Sequence, residues 1–289
     1  FCLSSVYVPL TLLRILKARG ARILVNQNGV YYPSWFRGNF KKKNRYLFKL
    51  NQLADHSFFQ SQFALDSYKT WVGPLPTSCS VLYNPIDVEK FSPAETLLPP
   101  DAVRLLVFTD FSKFNELLWN HIVELKSYLE KNWTAPQPIR WVWMGRNIDD
   151  GVVDYVKKHV DQATHIELYT NPNSNTVLQQ IQNATLALHF VPNDVCPNKV
   201  LEILACGVPV IAGTTGGTPE LLSAESGITL SVKPSYVERN FPPHITTSAA
   251  IESILKNLPQ YKQQARRRAQ LFDFKIWQQK IRAVIASLN

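Results

Sequence analysis

The stretch that decides the fold is FVPNDVCPNKVLEILACGVPVIAGTTGGTPELL, residues 190–222. It reads as a strand, a polar loop, a helix, a second buried strand, a glycine-rich loop and the start of another helix. Pro197 suits the first turn of the first helix, where no N–H is needed. Gly207 ends that helix at a position where glycine is preferred. The pattern predicts two strand–loop–helix units in one parallel sheet.

The two loops of this stretch predict a binding crevice. Each follows a strand and opens a helix, so each points free backbone N–H groups toward phosphates or sugar oxygens. Asp194 stands in the first loop, and Glu202 lies about one helical turn beyond Asn198. A carboxylate accepts hydrogen bonds from two hydroxyls, so this acidic pair suits a ligand with sugar rings.

The same alternation of strands and helices extends on both sides of this stretch. Six apolar runs in all, including the two strands of this stretch, are expected to be strands, at 104–108, 139–144, 166–168, 185–190, 208–212 and 228–230. Each lies next to a helical segment, which is typical of a parallel sheet covered on both faces. A shorter series, with strands at 23–25 and 57–61, precedes them. The fold class is therefore α/β.

Charge is unevenly distributed along the 289 residues. The chain has 31 Lys and Arg against 22 Asp and Glu, a net charge of +9, and residues 1–98 hold 12 of the basic and 5 of the acidic residues. The run Trp35–Lys49 interleaves aromatic and basic residues. A solvated helix face is the first interpretation of this run, and a peripheral membrane contact is the second. Nucleic acid is the least favoured partner, because no nucleic-acid motif accompanies the charge.

The cysteines predict neither disulfides nor a metal site. There are four, at positions 2, 79, 196 and 206, too few and too scattered for a disulfide framework, and no CxxC pair occurs. No run of eighteen apolar residues is present, so no membrane-spanning helix is expected. The expected location is cytoplasmic, with a peripheral position at the inner membrane face as the alternative.

On these residues, the stretch 190–222 resembles the nucleotide-sugar-binding motif of the GT-B glycosyltransferases. It is most similar to the retaining family 4, the glycosyl transferases group 1. The family's mark is an acidic pair with seven residues between, and here the pair is Asp194 and Glu202, with Asp in place of the usual first Glu. The GG-x-PE segment at 216–220 fits as well. The stretch VLYNPIDVEKFSP at 81–93 is similar to the family's linker between domains.

The resemblance implies a GT-B architecture of two Rossmann-like domains facing a cleft, with the first domain incomplete. A partial acceptor-side domain is expected at 1–93, and the proline-rich segment 94–101 is the expected hinge. A nucleotide-sugar-binding domain follows at 102–270, and a C-terminal helix at 271–289 is expected to pack back on the first domain. The family's opening strands have no counterpart here, so the strand Ile23–Val25 is expected to lack partners.

The implied activity is transfer of a sugar from a nucleoside-diphosphate sugar, UDP- or GDP-linked, to a hydroxyl of a glycan, lipid or small-molecule acceptor. Retention of the anomeric configuration, with no metal or other cofactor, is part of this expectation. Glu202 would bind the ribose, and Asp194 would hold sugar hydroxyls. The other donor-binding residues implied by the resemblance are Lys113, Cys196, Pro197, Asn198, Lys199, Thr215, Gly216 and Gly217.

One part of the chain departs from the family pattern. Family members carry a basic residue and a Lys-Gly pair after the first strand of the second domain, where this chain has FTDFSKFNELLWN at 108–120 with Lys113 as its only cation. Arg146 is the alternative cation, although a structural role for it is expected first. Glu220 is interpreted either as a first-turn residue that interacts with the helix dipole or as a group on the phosphate side. The lone His189 is expected to be structural.

Two other functions remain open from the sequence. The missing cations near the expected diphosphate site favour a non-catalytic homologue that binds a sugar nucleotide or acts as a scaffold. A nucleotide-sugar epimerase also uses two such domains, but the CPN sequence at 196–198 and the linker fit it less well.

Overall fold

The computed structural model describes residues 1–94, 102–159 and 166–288. They form two parallel sheets, one of four strands and one of six. The expected hinge at 94–101 lies outside the described residues except for Ala94, so the domain boundaries stay a prediction. Within the described ranges, every helix is too short or too polar to cross a membrane.

The first sheet has the order β1-β2-β3-β4. Its strands are β1 (Cys2–Leu3), β2 (Leu24–Gln27), β3 (His56–Phe59) and β4 (Cys79–Val81). The helices between them are α1 (Leu10–Ala18), α2 (Phe40–Leu53) and α3 (Gln62–Trp71). Side-chain oxygens cap two of these helices, since Asn39 accepts from the N–H of Lys42 and Ser61 from that of Ala64. The Asn39 cap accounts for the start of α2 at Phe40.

The expectation that Ile23–Val25 lacks partners is wrong. Val25 in β2 is aligned with Cys2 on one side and with Ser57 on the other, in parallel register. The partner on the first side is β1, whose two residues carry too little periodicity to be recognised in the sequence.

The second sheet has the order β10-β9-β8-β5-β6-β7. Its strands are β5 (Val103–Phe108), β6 (Ile139–Gly145), β7 (Ile166–Thr170), β8 (Leu186–His189), β9 (Val210–Gly213) and β10 (Gly227–Leu230). The six predicted strands are thereby confirmed. The chain moves outward from β5 to β7 and then returns to the other side of β5 with β8, so the strand order reverses between β5 and β8. Ligands of such sheets bind at the carboxyl ends of the strands at this reversal.

Helices cover both faces of the second sheet. They are α4 (Glu116–Asn132), α5 (Asp150–Lys158), α6 (Ser174–Gln182), α7 (Asn198–Ala205), α8 (Thr218–Leu221), α9 (His244–Lys256) and α10 (Leu258–Gln270). Successive residues of β5 point to opposite faces. Leu106 belongs to a buried cluster with residues of α7 and α10, and Leu105 to one with residues of α4 and α9. The prediction of a sheet covered on both faces is confirmed.

The C-terminal helix α11 (Phe274–Ser287) lies against the first sheet. Its Trp277 and Ile281 pack on Leu24, Phe58 and Leu82. The linker is also held by backbone bonds, because the N–H of residue 86 donates to the carbonyl of residue 272 at 2.9 Å. The C-terminal part of the chain therefore joins the two sheets.

Candidate active site

A cavity of about 440 Å³ opens at the point where the strand order reverses. We call it the switch-point cavity. Polar residues from the loops after β5, β6 and β8 and from the start of α7 line it: Thr109, Asp110, Ser112, Arg146, Asp194, Asn198 and Lys199. Phe114 and Asn115, which belong to the 3₁₀ turn after β5, complete the wall on that side. The predicted crevice is therefore present, at the edge that the strand order dictates.

A second cavity, of about 310 Å³, lies on the other side of Asp194. We call it the first-domain cavity, because most of its lining comes from the first domain: Ser4, Ser5, Asn28, Gly29, Val30, Tyr31, Tyr32, Leu47 and Gln60. Its opposite wall is formed by Asp194, Val195 and Cys196. Among the described residues, only Trp35 and Asp194 line both cavities. Asp194 therefore lies where the two cavities meet.

His189 is the functional candidate that the sequence interpretation missed. It is the last residue of β8, and its Nε2 lies 3.5 Å from Oδ2 of Asp194. The residue is 7% exposed, and Nε2 has no hydrogen-bond partner among the described residues. Its position at the carboxyl end of a predicted central strand was the signal that could have identified it. His189 is thus placed to orient Asp194 or to bind a ligand atom in the switch-point cavity.

Glu202, the second acidic residue of the motif, is turned toward α7 itself. Its Oε2 lies 2.5 Å from Nζ of Lys199, in an ion pair whose carboxylate is 14% exposed. Lys199 also lies over the ring of Phe108, with Nζ 4.7 Å from the centroid. Lys199 lines the switch-point cavity, whereas Glu202 stands one turn behind it. The predicted contact of Glu202 with a ribose stays a prediction.

The CPN segment is held by the linker. Asn84 donates from its backbone N–H to Sγ of Cys196 at 3.3 Å, and from Nδ2 to the carbonyl of Cys196 and to Oδ1 of Asn198. Burial raises the pKa of the Cys196 thiol to about 12, so the thiol is neutral. Pro197 stands immediately before α7, whose first N–H groups have no partner inside the helix. Asn84 therefore fixes the helix start at the cavity wall.

The glycine-rich loop packs against the loop that carries Asp194. Gly216 has φ +82°, and a Cβ there would come within 2.5 Å of the Asp194 carbonyl oxygen. A Cβ on Gly217 would overlap the carbonyl oxygen of Val195, and the Gly217 N–H donates to the Asp194 carbonyl at 2.7 Å. The glycines thus allow two backbones to touch. Neither they nor Thr215 lines the two cavities described here, and their contact with a diphosphate stays a prediction.

The two cations considered for the diphosphate are placed differently. Lys113 is exposed at the start of the 3₁₀ turn Lys113–Asn115, outside the lining of the switch-point cavity. Arg146 lines that cavity, but its guanidinium forms a bidentate pair with Asp110, with contacts of 2.6 and 3.1 Å. Hydrogen bonding to Asp110 raises the pKa of Arg146. The charge of Arg146 is therefore already balanced, in line with the structural role expected first.

Glu220 has a role that neither interpretation of the sequence anticipated. Its carboxylate accepts hydrogen bonds from the backbone N–H groups of Gln62 and Phe63, at 2.7 and 2.8 Å, and from the Tyr83 hydroxyl at 3.0 Å. These N–H groups begin α3 in the first domain. Burial, and then the Glu220 charge, raise the pKa of Tyr83 to about 12. Glu220 is thus a helix cap that acts across the two domains.

The segment 231–241 ties the cavity rim to the first domain. The hydroxyl of Tyr236 lies 3.0 Å from that of Ser67, and its ring packs edge-on against Tyr32 at 4.9 Å. Arg239 lies over the Phe114 ring and donates to the carbonyl oxygens of Ser34 and Phe114. Burial is the main reason that the pKa of Arg239 is lowered to about 10. These contacts hold Trp35 and Phe114 together across the mouth of the switch-point cavity, with ring centroids 5.0 Å apart.

The basic run Trp35–Lys49 does not present its aromatic rings as a patch. Phe40 packs on Trp71 with centroids 5.7 Å apart, and the Tyr46 hydroxyl donates to the Val8 carbonyl. Five of the six exposed residues of α2 are basic, namely Lys41, Lys42, Lys43, Arg45 and Lys49, and the sixth is Gln52. This arrangement supports the first interpretation, a solvated helix face. The peripheral membrane contact stays a prediction.

The two sheets, the crevice between them and the returning helix α11 define the class of protein as one with the GT-B fold of glycosyltransferases. Residues 121–240 match the family described as Glycosyl transferases group 1. The matched segment contains Asp194 and Glu202. No curated protein matches the chain in sequence.

Solved structures of similar fold support the GT-B architecture. HepE from Anabaena, solved with UDP-glucose, has a TM-score of 0.71 and 15% identity, and the alignment covers 96% of this chain and 77% of HepE. A glycosyltransferase from Rickettsia africae has a TM-score of 0.67 and 15% identity, with 95% and 78% covered. Sucrose-phosphate synthase from Thermosynechococcus elongatus has a TM-score of 0.68 and 15% identity, with 98% and 80% covered. At these identities, the likeness concerns the fold.

Proposed function

We propose that the chain transfers a sugar from a nucleoside-diphosphate sugar to an acceptor hydroxyl, with retention of configuration and without a metal. The observation that carries this proposal is the position of Asp194, a residue that lines both cavities. A glycosyl transfer needs a donor and an acceptor that meet at one carbon atom. The junction at Asp194 supplies a place for that atom.

The switch-point cavity is the proposed donor site. It lies at the start of α7, where free N–H groups and the helix dipole attract phosphate oxygens. Lys199 adds a cation at the same place, and in this proposal its ion pair with Glu202 opens when the ammonium turns to the diphosphate and the carboxylate to the ribose. HepE, which shares the fold, was solved with UDP and with UDP-glucose, so a UDP-linked sugar is the first donor to test.

The proposed reaction breaks the bond between the anomeric carbon and the diphosphate oxygen and forms one to the acceptor oxygen on the same face of the sugar. The acceptor proton goes to the departing diphosphate. Negative charge grows on that diphosphate in the transition state, and groups fixed beforehand stabilise it most effectively. The N–H groups at the α7 start and Lys199 supply this stabilisation in place of a metal. Asp194 orients sugar hydroxyls, and Glu202 binds the ribose.

The test is a transfer assay with UDP-, GDP- and ADP-linked sugars and a panel of glycan, lipid and small-molecule acceptors, in the presence of EDTA. Proton NMR of the product gives the anomeric configuration directly. We expect transfer to proceed in EDTA. We also expect an axial bond at the anomeric carbon of the donor to give an axial glycosidic bond in the product. Inversion, or dependence of transfer on added Mg²⁺ or Mn²⁺, would overturn the corresponding part of the proposal.

A non-catalytic homologue that binds a sugar nucleotide is the second candidate. It is favoured by the Arg146–Asp110 pair, which leaves the guanidinium already balanced, and by the position of Lys113 outside the cavity lining. Such a protein would bind a nucleoside diphosphate but would neither transfer nor hydrolyse its sugar. Binding without any release of nucleoside diphosphate, over the full acceptor panel, would favour this second candidate.

A further inference from the structure

Three side chains on the helical layer of the second sheet carry the donor atoms of a transition-metal site. His121 and Glu124 lie one turn apart on α4, and His244 is the first residue of α9. One ligand atom from each, two imidazole nitrogens and a carboxylate oxygen, lies within 4.8 Å of the others. In the described part of the chain, none of the three lines the switch-point or the first-domain cavity. The cluster is therefore separate from the candidate active site.

The distances fit a shared ion. Nδ1 of His121 lies 3.2 Å from Nε2 of His244. Two nitrogens bound to one tetrahedral zinc at about 2.05 Å each are roughly 3.3 Å apart. Oε2 of Glu124 lies 4.0 Å from the same Nε2, and the Glu124 side chain is 68% exposed, so it is free to rotate inward. The two imidazoles are already positioned, and the carboxylate needs a small movement.

The surroundings hold the His121 ring in place. His121 is 9% exposed and stacks on Phe241, with centroids 5.0 Å apart and planes 17° apart. An imidazole held in this way loses little freedom when it binds a metal.

We propose that His121, Glu124 and His244 bind one divalent transition-metal ion of the zinc type, with water completing the shell. Two imidazoles and one carboxylate suit Zn²⁺. They do not suit Mg²⁺ or Ca²⁺, which take oxygen ligands. The bound ion would join α4 to the first residue of α9, next to Phe241 at the end of the segment 231–241. Its role is to stabilise the second domain, apart from the transfer step.

The competing arrangement has a proton in place of the metal, as a plain hydrogen bond between His121 and His244. It accounts for the 3.2 Å separation equally well. This hydrogen bond does not involve Glu124, however, and it predicts no affinity for zinc. Variants of Glu124 therefore separate the two arrangements.

The experiment is calorimetric titration of the metal-free chain with ZnCl₂ and separately with MgCl₂, accompanied by thermal unfolding with and without zinc. The variants are Glu124→Gln and His244→Asn. His159→Asn is the matched histidine control, because among the described residues the His159 ring bonds the Tyr155 carbonyl and not a metal-ligand side chain. Glu124 is exposed, so its replacement leaves the fold intact even if a histidine variant does not. We expect the wild type to bind one zinc per chain and to show no response to magnesium. Zinc affinity should fall at least tenfold in both site variants. Zinc should raise the Tm of the wild type and of the control. Absence of saturable zinc binding in the wild type, or equal zinc affinity in the wild type and Glu124→Gln, would overturn the proposal.

Discussion

The two cavities that meet at Asp194 differ in their charge. The switch-point cavity is lined by Asp110, Arg146 and Lys199 in addition to Asp194. Among the described residues that line the first-domain cavity, Asp194 is the only charged one, and the others are hydroxyl, amide, aromatic and aliphatic groups. A charged wall recognises a charged ligand, whereas hydroxyls, amides and rings recognise neutral hydroxyls and sugar faces. This difference is the reason that we propose the diphosphate on one side and a neutral acceptor group on the other.

This difference follows from how each cavity is built. The switch-point cavity lies at the carboxyl ends of β5 and β8 and at the start of α7, where partial positive charge collects. The first-domain cavity is walled by the loops after β1 and β2, where polar side chains already bond to one another, as Ser4 Oγ does to Asn28 Oδ1 at 2.6 Å. Substitutions on the two sides should therefore change different measured quantities.

The largest effect is expected for Asp194→Asn, because Asp194 lines both cavities. Loss of the carboxylate removes a charged acceptor for sugar hydroxyls where donor and acceptor meet, and we expect kcat to fall by about 100-fold or more. Affinity for UDP alone should change by less than about threefold, since the nucleotide does not need Asp194 in this account. Steady-state transfer kinetics and UDP titration measure the two quantities. The same substitution at Asp66, exposed on α3, is the control.

Lys199→Gln should weaken donor binding alone. The cation is lost from the diphosphate side, and a hydrogen bond to a charged group is worth roughly 1.5–3 kcal/mol, or about ten- to a hundredfold in affinity. Acceptor KM should stay unchanged. Lys113→Gln is the matched comparison, because Lys113 lies outside the cavity lining. A larger loss in Lys113→Gln than in Lys199→Gln would restore the sequence-based assignment of Lys113 to the diphosphate.

Gln60→Ala should act only on the acceptor side. Gln60 lines the first-domain cavity and is absent from the lining of the switch-point cavity. Loss of one neutral hydrogen bond costs about 0.5–1.5 kcal/mol, so the acceptor KM should rise by about two- to tenfold. A donor KM that also rises would contradict the assignment of donor and acceptor to different cavities.

The smallest effect on transfer is expected for Glu220→Gln, which alters the joint between the domains. The charged cap on α3 becomes a neutral one, and the unfolding free energy should fall by about 1–2 kcal/mol. Urea unfolding measures this change, with the exposed Glu225→Gln as control. Both KM values should stay within about threefold of the wild type, because Glu220 lines neither cavity in the described part of the chain.

The comparison also shows what a sequence can reveal. The six strands of the second sheet were predictable because each is an apolar run bounded by turn residues. The switch-point crevice followed from them, since two loop–helix units in a parallel sheet share one edge. Asp194 was identified by its motif, and the structure places it at that edge.

Other features depended on contacts that the sequence does not contain. Glu220 caps residues 157 and 158 positions away, so nothing near it in the chain indicates its partner. His189 stands at the end of a predicted strand, but its contact with Asp194 depends on the path of the loop between them. The strand β1 is only two residues long, and β2 gains its second neighbour through it. Long-range pairing of this kind is set by topology and cannot be inferred from periodicity.

The central claim is that the switch-point side of the cleft binds a nucleoside diphosphate through the acidic motif. Calorimetric titration with UDP, GDP and ADP tests it most directly, on the wild type, Glu202→Ala and the exposed control Glu225→Ala. If Glu202 binds the ribose, its loss removes a charged acceptor for two hydroxyls and should weaken binding by about ten- to a hundredfold, with the control unchanged. Equal affinity of the wild type and Glu202→Ala for every nucleotide would contradict the claim.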